Sequence, residues 1–298
     1  MAFNWPVFRT RALTAIVFAA VMLAGLLWNH WSFLLLFSII HFGCWWEYFK
    51  LAEKIHNTKF HPYTKLGIMV FGYHFMLLMC GPAYVVSGFG LSENIAMPVS
   101  AAGLILILLG IFSQRRIHLR ALGMAALGLL YISLSWGLMI NLYQWTIDIH
   151  LHDTMFVIGG GIIPIIIIAS IWINDTMAYI VGSLIGKTPL SKVSPKKTWE
   201  GTIGGVILAV VVVALLSPAI FFKEPFTGFE FIFFIALIAL ITAITGTIGD
   251  LLESKLKRMA DVKDSGSLMP GHGGFLDRFD SLLLATPFVW VFVKLLLL

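Results

Sequence analysis

The sequence predicts an all-α polytopic membrane protein with about nine transmembrane helices, a cytoplasmic N-terminus and a C-terminus on the outside. The first observation is composition: of 298 residues, 59% are hydrophobic and only 12% are charged, and the mean hydropathy is +0.93. Soluble globular chains are about half apolar and about a quarter charged. The other two observations are a series of long apolar runs and a strong bias in where the lysines and arginines fall.

The apolar runs are long enough to cross a bilayer, which takes about 20 predominantly apolar residues in a helix. The candidate spans cover 12–29, 31–49, 66–87, 95–112, 121–141, 155–186, 202–222, 229–249 and 282–298. The sixth run is longer than the others and is interrupted by Asn174, Asp175 and Thr176. The run by itself fits either one helix or two shorter ones.

Basic residues are confined almost entirely to alternate connecting segments. With nine spans, the segments on one side of the membrane are 1–11, 50–65, 113–120, 187–201 and 250–281, which hold all of the 20 lysines and arginines except Lys223 and Lys294. Because cytoplasmic loops are enriched in basic residues, this side is predicted to be cytoplasmic. Two helices in the sixth run would invert every later segment, so the pattern favours one helix. The spread of positive charge over several short loops argues against nucleic-acid binding.

The same topology predicts a division of the chain at about residue 120. Residues 1–120 would form an N-terminal set of about four spans, and residues 121–298 a C-terminal catalytic region. The second region is predicted to be catalytic because two polar stretches, 187–201 and 250–281, lie on its cytoplasmic side.

The stretch 187–201 is basic and follows an apolar run that contains a carboxylate. Its Ser194-Pro195 pair is typical of a helix start, with serine as the N-cap and proline at the first helical position. The candidate functional residues that follow are Lys196, Lys197, Trp199 and Glu200. An ordinary basic loop would explain the stretch by itself, but its position just after Asp175 favours a functional role.

Two carboxylates lie within or beside apolar runs. Asp175 is predicted to face a polar cavity, because a carboxylate at the centre of a membrane helix costs about 2.5–3.5 kcal/mol on insertion scales and usually has a function. A solvated position at the end of the helix is the alternative. Glu47 lies one turn from Lys50 beside Trp46, so it is predicted to form a structural ion pair at the membrane interface.

The stretch 250–281 concentrates charge in a chain that has little of it. If the eighth span continues inward as a helix, Asp250, Ser254 and either Lys257 or Arg258 share one helical face. A glycine-rich loop around Pro270-Gly271-His272-Gly273-Gly274 follows, and loops of this kind can bind phosphate through backbone N–H groups. The last span then begins with Asp277, Asp280 and Ser281 spaced for one helical face.

This combination predicts phosphate and metal chemistry at a membrane surface. Mg²⁺ in proteins is usually bound by one or two carboxylates together with substrate phosphates, and Asp250 and Asp277 suit such a site. Lysines and arginines in the same stretch would neutralise phosphate charge. A merely amphiphilic loop with paired charges is the alternative.

The residues of this stretch also resemble a family signature. The matching positions are Ser254-Lys255-Leu256-Lys257-Arg258, Lys263-Asp264, Gly266, Pro270, His272-Gly273-Gly274 and Asp277-Arg278-Phe279-Asp280. In this order and spacing they closely resemble the signature of phosphatidate cytidylyltransferases, also called CDP-diacylglycerol synthases. The stretch SPKKTWEG and the run from Asn174 to Tyr179 resemble the same family. Met269 stands where the family more often has Ile, Leu or Phe, which is a conservative difference.

The resemblance implies a reaction, cofactors and partners. Phosphatidic acid and CTP would give CDP-diacylglycerol and pyrophosphate in phospholipid biosynthesis, with Mg²⁺ and, as an open question, a second and monovalent cation. The enzyme would be a homodimer in the inner cell membrane with its active site on the cytoplasmic side, and it would bind membrane lipid but no nucleic acid.

The resemblance also assigns roles to residues. It implies Asp250 and Asp277 as metal ligands, supported by Asp280 and Asp264. It implies phosphate contacts for the residues Ser254, Lys257, Arg258, Lys263, His272, Gly273, Gly274 and Arg278. It further implies that Lys196, Lys197, Trp199 and Glu200 hold CTP or close the site. We expect Asp175 to line the cavity through which the lipid headgroup enters.

Two competing interpretations remain at the level of sequence. A polytopic transporter would explain the spans and Asp175, but it would not explain the glycine-rich polar stretch. Transporters also often contain paired broken helices in two halves, and the sequence offers only the sixth run. The other interpretation keeps the enzyme and changes the lipid, for example to an ether-linked phosphatidate.

Overall fold

The chain is described by a computed structural model, and it is predominantly helical. The structure describes the backbone of residues 5–114, 118–145, 147–151, 154–159, 161–221, 229–266 and 273–296. Within these ranges it describes all side chains except those of 5–12, 147–151, 154–158 and 230.

Ten α-helices account for most of the described residues. They are α1 (Trp5–Leu27), α2 (His30–Ile55), α3 (Pro62–Leu78), α4 (Ala96–Ser113), α5 (Leu119–Gly128), α6 (Ser135–Gln144), α7 (Ile162–Ile185), α8 (Trp199–Phe221), α9 (Phe229–Met259) and α10 (Leu276–Leu296). One π-helical segment, Leu91–Ile95, leads into α4, and another, Leu129–Leu134, joins α5 to α6. Two short antiparallel hairpins lie in connecting segments: β1 (Val85–Val86) with β2 (Phe89–Gly90), and β3 (Ile147–Leu151) with β4 (Thr154–Ile158).

Each predicted span overlaps a helical segment of the structure, with α5 and α6 forming one segment. Among the described residues, seven segments are long and apolar enough to cross a membrane. The two others are α1, which contributes the shorter apolar stretch Leu13–Leu27, and α3, which has 17 residues. The chain is therefore an all-α protein of the multi-pass membrane type, and the count of nine spans remains a prediction.

The sixth apolar run forms one helix. Helix α7 continues without a break through Asn174, Asp175 and Thr176, because polar side chains at these positions leave the backbone hydrogen bonds of a helix intact. The predicted start of this span at residue 155 is wrong, since Thr154–Ile158 pairs with Ile147–Leu151 in a hairpin. The β-branched and aromatic residues of this segment are as suited to a strand as to a membrane helix.

Contacts divide the chain into two compact units. Unit 1 comprises Met1–Ile140 and Leu256–Phe279, and unit 2 comprises Asn141–Lys255 and Asp280–Leu298. Helices α9 and α10 each contribute one end to unit 1 and the remainder to unit 2. The functional division at residue 120 that the sequence suggested remains a prediction.

Close helix packing in unit 1 depends on glycines. Helices α3 and α4 approach so closely that a Cβ atom on Gly103 would lie 2.5 Å from the backbone nitrogen of Phe71. A Cβ atom on Gly67 would lie 2.6 Å from the backbone nitrogen of Ile107. Small residues permit this close backbone approach, which is a common basis of helix association in membranes.

Close helix packing in unit 2 also depends on glycines, at two positions that affect the placement of the polar stretches. Helix α8 packs against α7 through Gly205, where a Cβ atom would lie 2.8 Å from the side chain of Ala178 and 2.9 Å from the backbone oxygen of Asn174. Helix α9 packs against α10 at Gly249, where a Cβ atom would lie 2.6 Å from the backbone oxygen of Asp280. This second contact brings the residue after Gly249, Asp250, close to the first turns of α10.

Replacing Gly103 with alanine is expected to destabilise the protein by about 1–3 kcal/mol, the usual cost of overpacking. The matched control is Gly123→Ala in α5, where no atom lies within 4 Å of the added Cβ. That change should be neutral or stabilising by up to about 1 kcal/mol, because alanine has the higher helix propensity. Thermal unfolding of the purified protein in detergent measures both effects, and equal midpoints for the two variants would contradict the close contact.

Candidate functional site

The basic stretch before α8 forms a closed loop. Pro189 and Thr198 form an isolated antiparallel bridge, and the backbone N–H of Leu190 donates to the oxygen of Lys197 at 2.7 Å. The Glu200 carboxylate accepts hydrogen bonds from the backbone N–H groups of Lys187 and Thr188 at 3.1–3.2 Å. These bonds fix the loop to the first turn of α8.

The predicted helix start at Ser194 and Pro195 is wrong. Helix α8 begins at Trp199, and the Thr198 hydroxyl accepts a hydrogen bond from the backbone N–H of Gly201 at 3.2 Å in the manner of an N-cap. Ser194 instead begins a turn in which its backbone oxygen accepts from the N–H of Lys197 at 3.1 Å. Proline suits the second position of such a turn as well as it suits the start of a helix.

The turn places the two lysines at a cavity in unit 2. The cavity has a volume of about 340 Å³, and its lining includes Asp175, Lys196, Lys197, Thr198 and Asp250. Lys197 forms a salt bridge with the Asp250 carboxylate, and the Ser254 hydroxyl donates to Asp250 Oδ1 at 3.3 Å. Asp175, Lys197 and Asp250, which are far apart in sequence, therefore line one cavity.

Three carboxylates in unit 2 lie close enough to share a cation. One oxygen from each of Asp250, Glu253 and Asp280 falls within 4.8 Å of the others. Glu253 is 0% exposed and Asp280 is 7% exposed, while Asp250 borders the cavity. The sequence prediction did not assign Glu253 to the site, although its spacing of three residues from Asp250 on a helix could have indicated it.

Asp277 is the centre of a hydrogen-bond network in unit 1. The Lys257 ammonium donates to its Oδ1 atom at 2.7 Å. Its Oδ2 atom accepts from the backbone N–H groups of Ser265 at 2.9 Å and Gly274 at 2.8 Å, and the Ser265 hydroxyl lies 2.9 Å away. The pairing of Asp250 with Asp277 at a metal, which the sequence suggested, joins residues of different units and remains a prediction.

Glu47 belongs to the same network, and the prediction that it pairs with Lys50 is wrong. Glu47 is 3% exposed, and its Oε2 atom accepts from the Ser265 hydroxyl at 2.7 Å and from the backbone N–H of Leu276 at 2.8 Å. Lys50 lies instead over the ring of Trp46, 5.7 Å from its centroid. The sequence showed an acidic residue in an aromatic run, but its partners are more than 200 positions away.

The glycines of the signature pack against these two carboxylates. A side chain at Gly266 or Gly274 would clash with the Glu47 carboxylate, and a Cβ atom on Gly273 would lie 2.7 Å from Asp277 Oδ2. Gly273 also has a positive φ of 82°, which glycine adopts without strain. Close approach to the carboxylates of Glu47 and Asp277 therefore explains these glycines in part, and the predicted phosphate cradle remains a prediction.

The remaining candidate residues are placed as follows. Lys263, Asp264 and Arg278 are exposed, and Arg258 donates to the backbone oxygen of Val262 at 3.3 Å. Trp199 is exposed at the start of α8. His272, with Pro270 and Gly271, lies outside the described residues.

Comparison with known proteins gives matches over nearly the whole chain. The model of the cytidylyltransferase family matches residues 9–296. A protein of Haemophilus influenzae named phosphatidate cytidylyltransferase is 31% identical over 288 residues, which are 94% of this chain and 96% of that protein.

Other relatives match over a shorter segment. A protein of Bacillus subtilis with the same name is 40% identical over 126 residues, 42% of this chain and 45% of the relative. A chloroplastic phosphatidate cytidylyltransferase of Arabidopsis thaliana is 39% identical over 138 residues, 45% of this chain and 33% of the relative. The matched segments thus span less than half the length of these two relatives.

Replacing Glu47 with alanine is expected to lower the free energy of unfolding by about 3 kcal/mol or more, because each hydrogen bond to a charged group contributes about 1.5–3 kcal/mol. The matched control is Glu93→Ala, since Glu93 is exposed. Thermal unfolding in detergent compares the two variants. A midpoint for Glu47→Ala as high as that of the control would show that Glu47 does not hold this network together.

Proposed function

The chain belongs to the cytidylyltransferase family, and from this premise we propose that it is a phosphatidate cytidylyltransferase. Such an enzyme converts CTP and phosphatidic acid into CDP-diacylglycerol and pyrophosphate. The observation that carries the proposal is the relative from Haemophilus influenzae with this name, which aligns with nearly the full length of both chains. The clustered lysines and carboxylates of the two polar stretches supply the chemistry that this reaction needs.

The proposed reaction is a substitution at phosphorus. An oxygen of the phosphatidate phosphate attacks the α-phosphorus of CTP, and the bond between this phosphorus and the oxygen that bridges to the β-phosphate breaks. A phosphate monoester has a second pKa near 6, so phosphatidate is already an anionic nucleophile at neutral pH. The protein's task is therefore to bring two polyanions together and to neutralise the departing pyrophosphate.

We propose that the cavity of unit 2 binds phosphate groups of the substrates. Lys196 and Lys197 line it and would contact phosphate oxygens, while the bonds of Glu200 to the loop backbone hold both lysines in position. Asp175, on the transmembrane helix α7, lines the same cavity. We expect the lipid headgroup to enter beside Asp175, so that the acyl chains remain in the bilayer while the phosphate reaches aqueous CTP.

Residues of unit 1 would bind further phosphate oxygens. Lys257 is held by Asp277, which fixes the direction of its ammonium group, and Arg258, Lys263 and Arg278 are the other cations of the signature. The reaction begins with two anionic substrates and releases pyrophosphate, so a set of fixed cations lowers the free energy of the transition state without reorganisation.

The carboxylates Asp250, Glu253 and Asp280 fit a divalent cation, and we propose that they hold Mg²⁺. Three carboxylates at this separation repel one another, one of them is fully buried, and a hard cation with oxygen ligands would relieve the repulsion. When bound, Mg²⁺ would polarise phosphate oxygens and neutralise charge on the leaving group. Asp277 remains a second candidate ligand, and whether a monovalent ion accompanies Mg²⁺ is the open question that the family resemblance raises.

The charge pattern supports a topology for the enzyme. We propose nine spans, a cytoplasmic N-terminus, a C-terminus on the outside and a location in the inner cell membrane, because the basic residues collect in alternate connecting segments. Both polar stretches would then face the cytoplasm, where CTP is made. A homodimer is expected from the family resemblance.

The activity can be tested directly with purified protein in detergent. We expect dioleoyl phosphatidic acid, labelled CTP and Mg²⁺ to give a labelled CDP-lipid, and we expect EDTA or the variant Asp250→Asn to abolish it. Asp261→Asn is the matched control, because Asp261 is exposed and its φ of 52° is one that asparagine also adopts. A folded sample that makes no product with any phosphatidate tested would overturn the substrate assignment.

The metal site can be tested without activity, by titrating Mn²⁺ as a paramagnetic substitute for Mg²⁺. We expect Glu253→Gln and Asp280→Asn each to weaken Mn²⁺ binding about tenfold or more, the scale seen when groups around a metal are removed. Asp261→Asn should bind as the unaltered protein does. Unchanged affinity in both site variants, with a loss of affinity in Asp277→Asn, would instead support the pairing of Asp250 with Asp277.

A further inference from the structure

A cavity in unit 1 lies at the end of α2, and the reaction proposed above gives no role to the three lysines that line it. Its volume is about 530 Å³, and residues of three segments line it: Lys50 and Lys54 of α2, Thr58 and Lys59 after the helix, and Asp264 and Ser265 after α9. Eight of its ten lining residues carry polar or charged side chains, which distinguishes it from an apolar pocket for acyl chains.

Positive charge exceeds negative charge in this cavity, whose lining holds three lysines and the carboxylates of Glu53 and Asp264. Lys50 and Lys54 are four residues apart on one helix, an arrangement in which like charges destabilise a helix, and Lys59 adds a third ammonium group. Among the residues that the structure describes, none of these three lysines forms a salt bridge, whereas Glu53 at the same cavity pairs with Lys65 at 2.7 Å. The positive charge of Lys54 stabilises the negative end of the helix dipole at the C-terminus of α2. The charges of Lys50 and Lys59 are not needed for that purpose.

The backbone at the end of α2 places the three lysines around one cavity. Helix α2 ends at Ile55, and Asn57 turns the chain with a positive φ of 47°, a conformation in which asparagine is enriched. The turn carries Thr58 and Lys59 back toward the end of the helix, where the Glu53 carboxylate accepts from the backbone N–H of Phe60 at 2.8 Å. The Asn57 side chain and the Thr58 hydroxyl add neutral donors to the lining.

The cavity is also connected to the Asp277 network within unit 1. Ser265 lines the cavity, and its hydroxyl and backbone N–H both lie 2.9 Å from Asp277 Oδ2. Asp277 in turn accepts from Lys257 at 2.7 Å. An anion bound in the cavity would therefore be connected through Ser265 and Asp277 to Lys257, which is proposed to bind substrate phosphate.

We infer that this cavity is an accessory binding site for a phosphate group, formed by Lys50, Lys54 and Lys59. An anion there would relieve the mutual repulsion of the three ammonium groups and accept hydrogen bonds from Thr58 and Asn57. The phosphate can belong to free pyrophosphate or to the headgroup of an anionic phospholipid at the membrane surface. The inference concerns binding alone and does not depend on the proposed reaction.

The test is lysine labelling of the full-length protein in nanodiscs, read out by mass spectrometry at each lysine. The probes are inorganic pyrophosphate with discs of phosphatidylcholine, and phosphatidylglycerol mixed into the discs without pyrophosphate. At a probe concentration about ten times the dissociation constant, labelling of Lys54 and Lys59 should fall about tenfold, by mass action. The exposed Lys255 is the internal control and should label at an unchanged rate.

Each outcome bears on the site. Protection by pyrophosphate alone would identify a free phosphate as the ligand, protection by phosphatidylglycerol alone a lipid headgroup, and protection by both a site for either. In the variant Lys54→Gln, protection of Lys59 should require about tenfold more probe, whereas Lys255→Gln should leave it unchanged. The absence of protection by both probes, or equal protection of Lys255, would overturn the inference.

Discussion

A carboxylate removed from water has to be compensated by hydrogen-bond donors or by a cation, and this constraint governs the polar parts of both units. The chain has only 15 acidic residues, yet Glu47, Glu253 and Asp280 are buried. Glu47 is compensated by Ser265 and by the backbone at the start of α10. In an apolar chain of this kind, each compensated carboxylate fixes the position of the segment that supplies its donors.

The carboxylates of the two units have different surroundings, and the difference suggests that they have different functions. In unit 1, Asp277 accepts from the Lys257 ammonium and from the backbone N–H groups of Ser265 and Gly274, so its main effect is to hold these groups in place. In unit 2, Asp250, Glu253 and Asp280 lie beside one another, an arrangement that favours a metal ion. The proposed reaction between two anionic substrates would need both kinds of arrangement, because cations must be fixed in position and charge must be neutralised.

Glycine serves both the membrane helices and the polar loops. Gly103, Gly205 and Gly249 allow helices to pack backbone against backbone, whereas Gly266 and Gly274 leave room for the Glu47 carboxylate. Gly249 precedes Asp250 in sequence and packs against the backbone of Asp280. Helix packing and the placement of the carboxylates are therefore consequences of the same small residues.

The sequence by itself determined the class of fold, most of the segments that form helices, and the family. Apolar runs long enough for a bilayer are local, and so is the spacing of the signature from Ser254 to Asp280. The helical face that joins Asp250 to Ser254 was also predictable, because the period of a helix is fixed. Local signals were ambiguous at Pro195, where a turn and a helix start share the same residues, and in 154–158, where a strand and a membrane helix have similar composition.

Only the tertiary structure decided which distant polar groups meet. Glu47 accepts a hydrogen bond from Ser265, more than 200 positions away. Lys197 forms a salt bridge with Asp250, and carboxylate oxygens of Glu253 and Asp280 lie within 4.8 Å of each other. No local pattern specifies these pairs, because a charged side chain in an apolar chain has several possible partners. The packing of the helices selects among them, since it fixes which helix ends lie within the reach of a side chain.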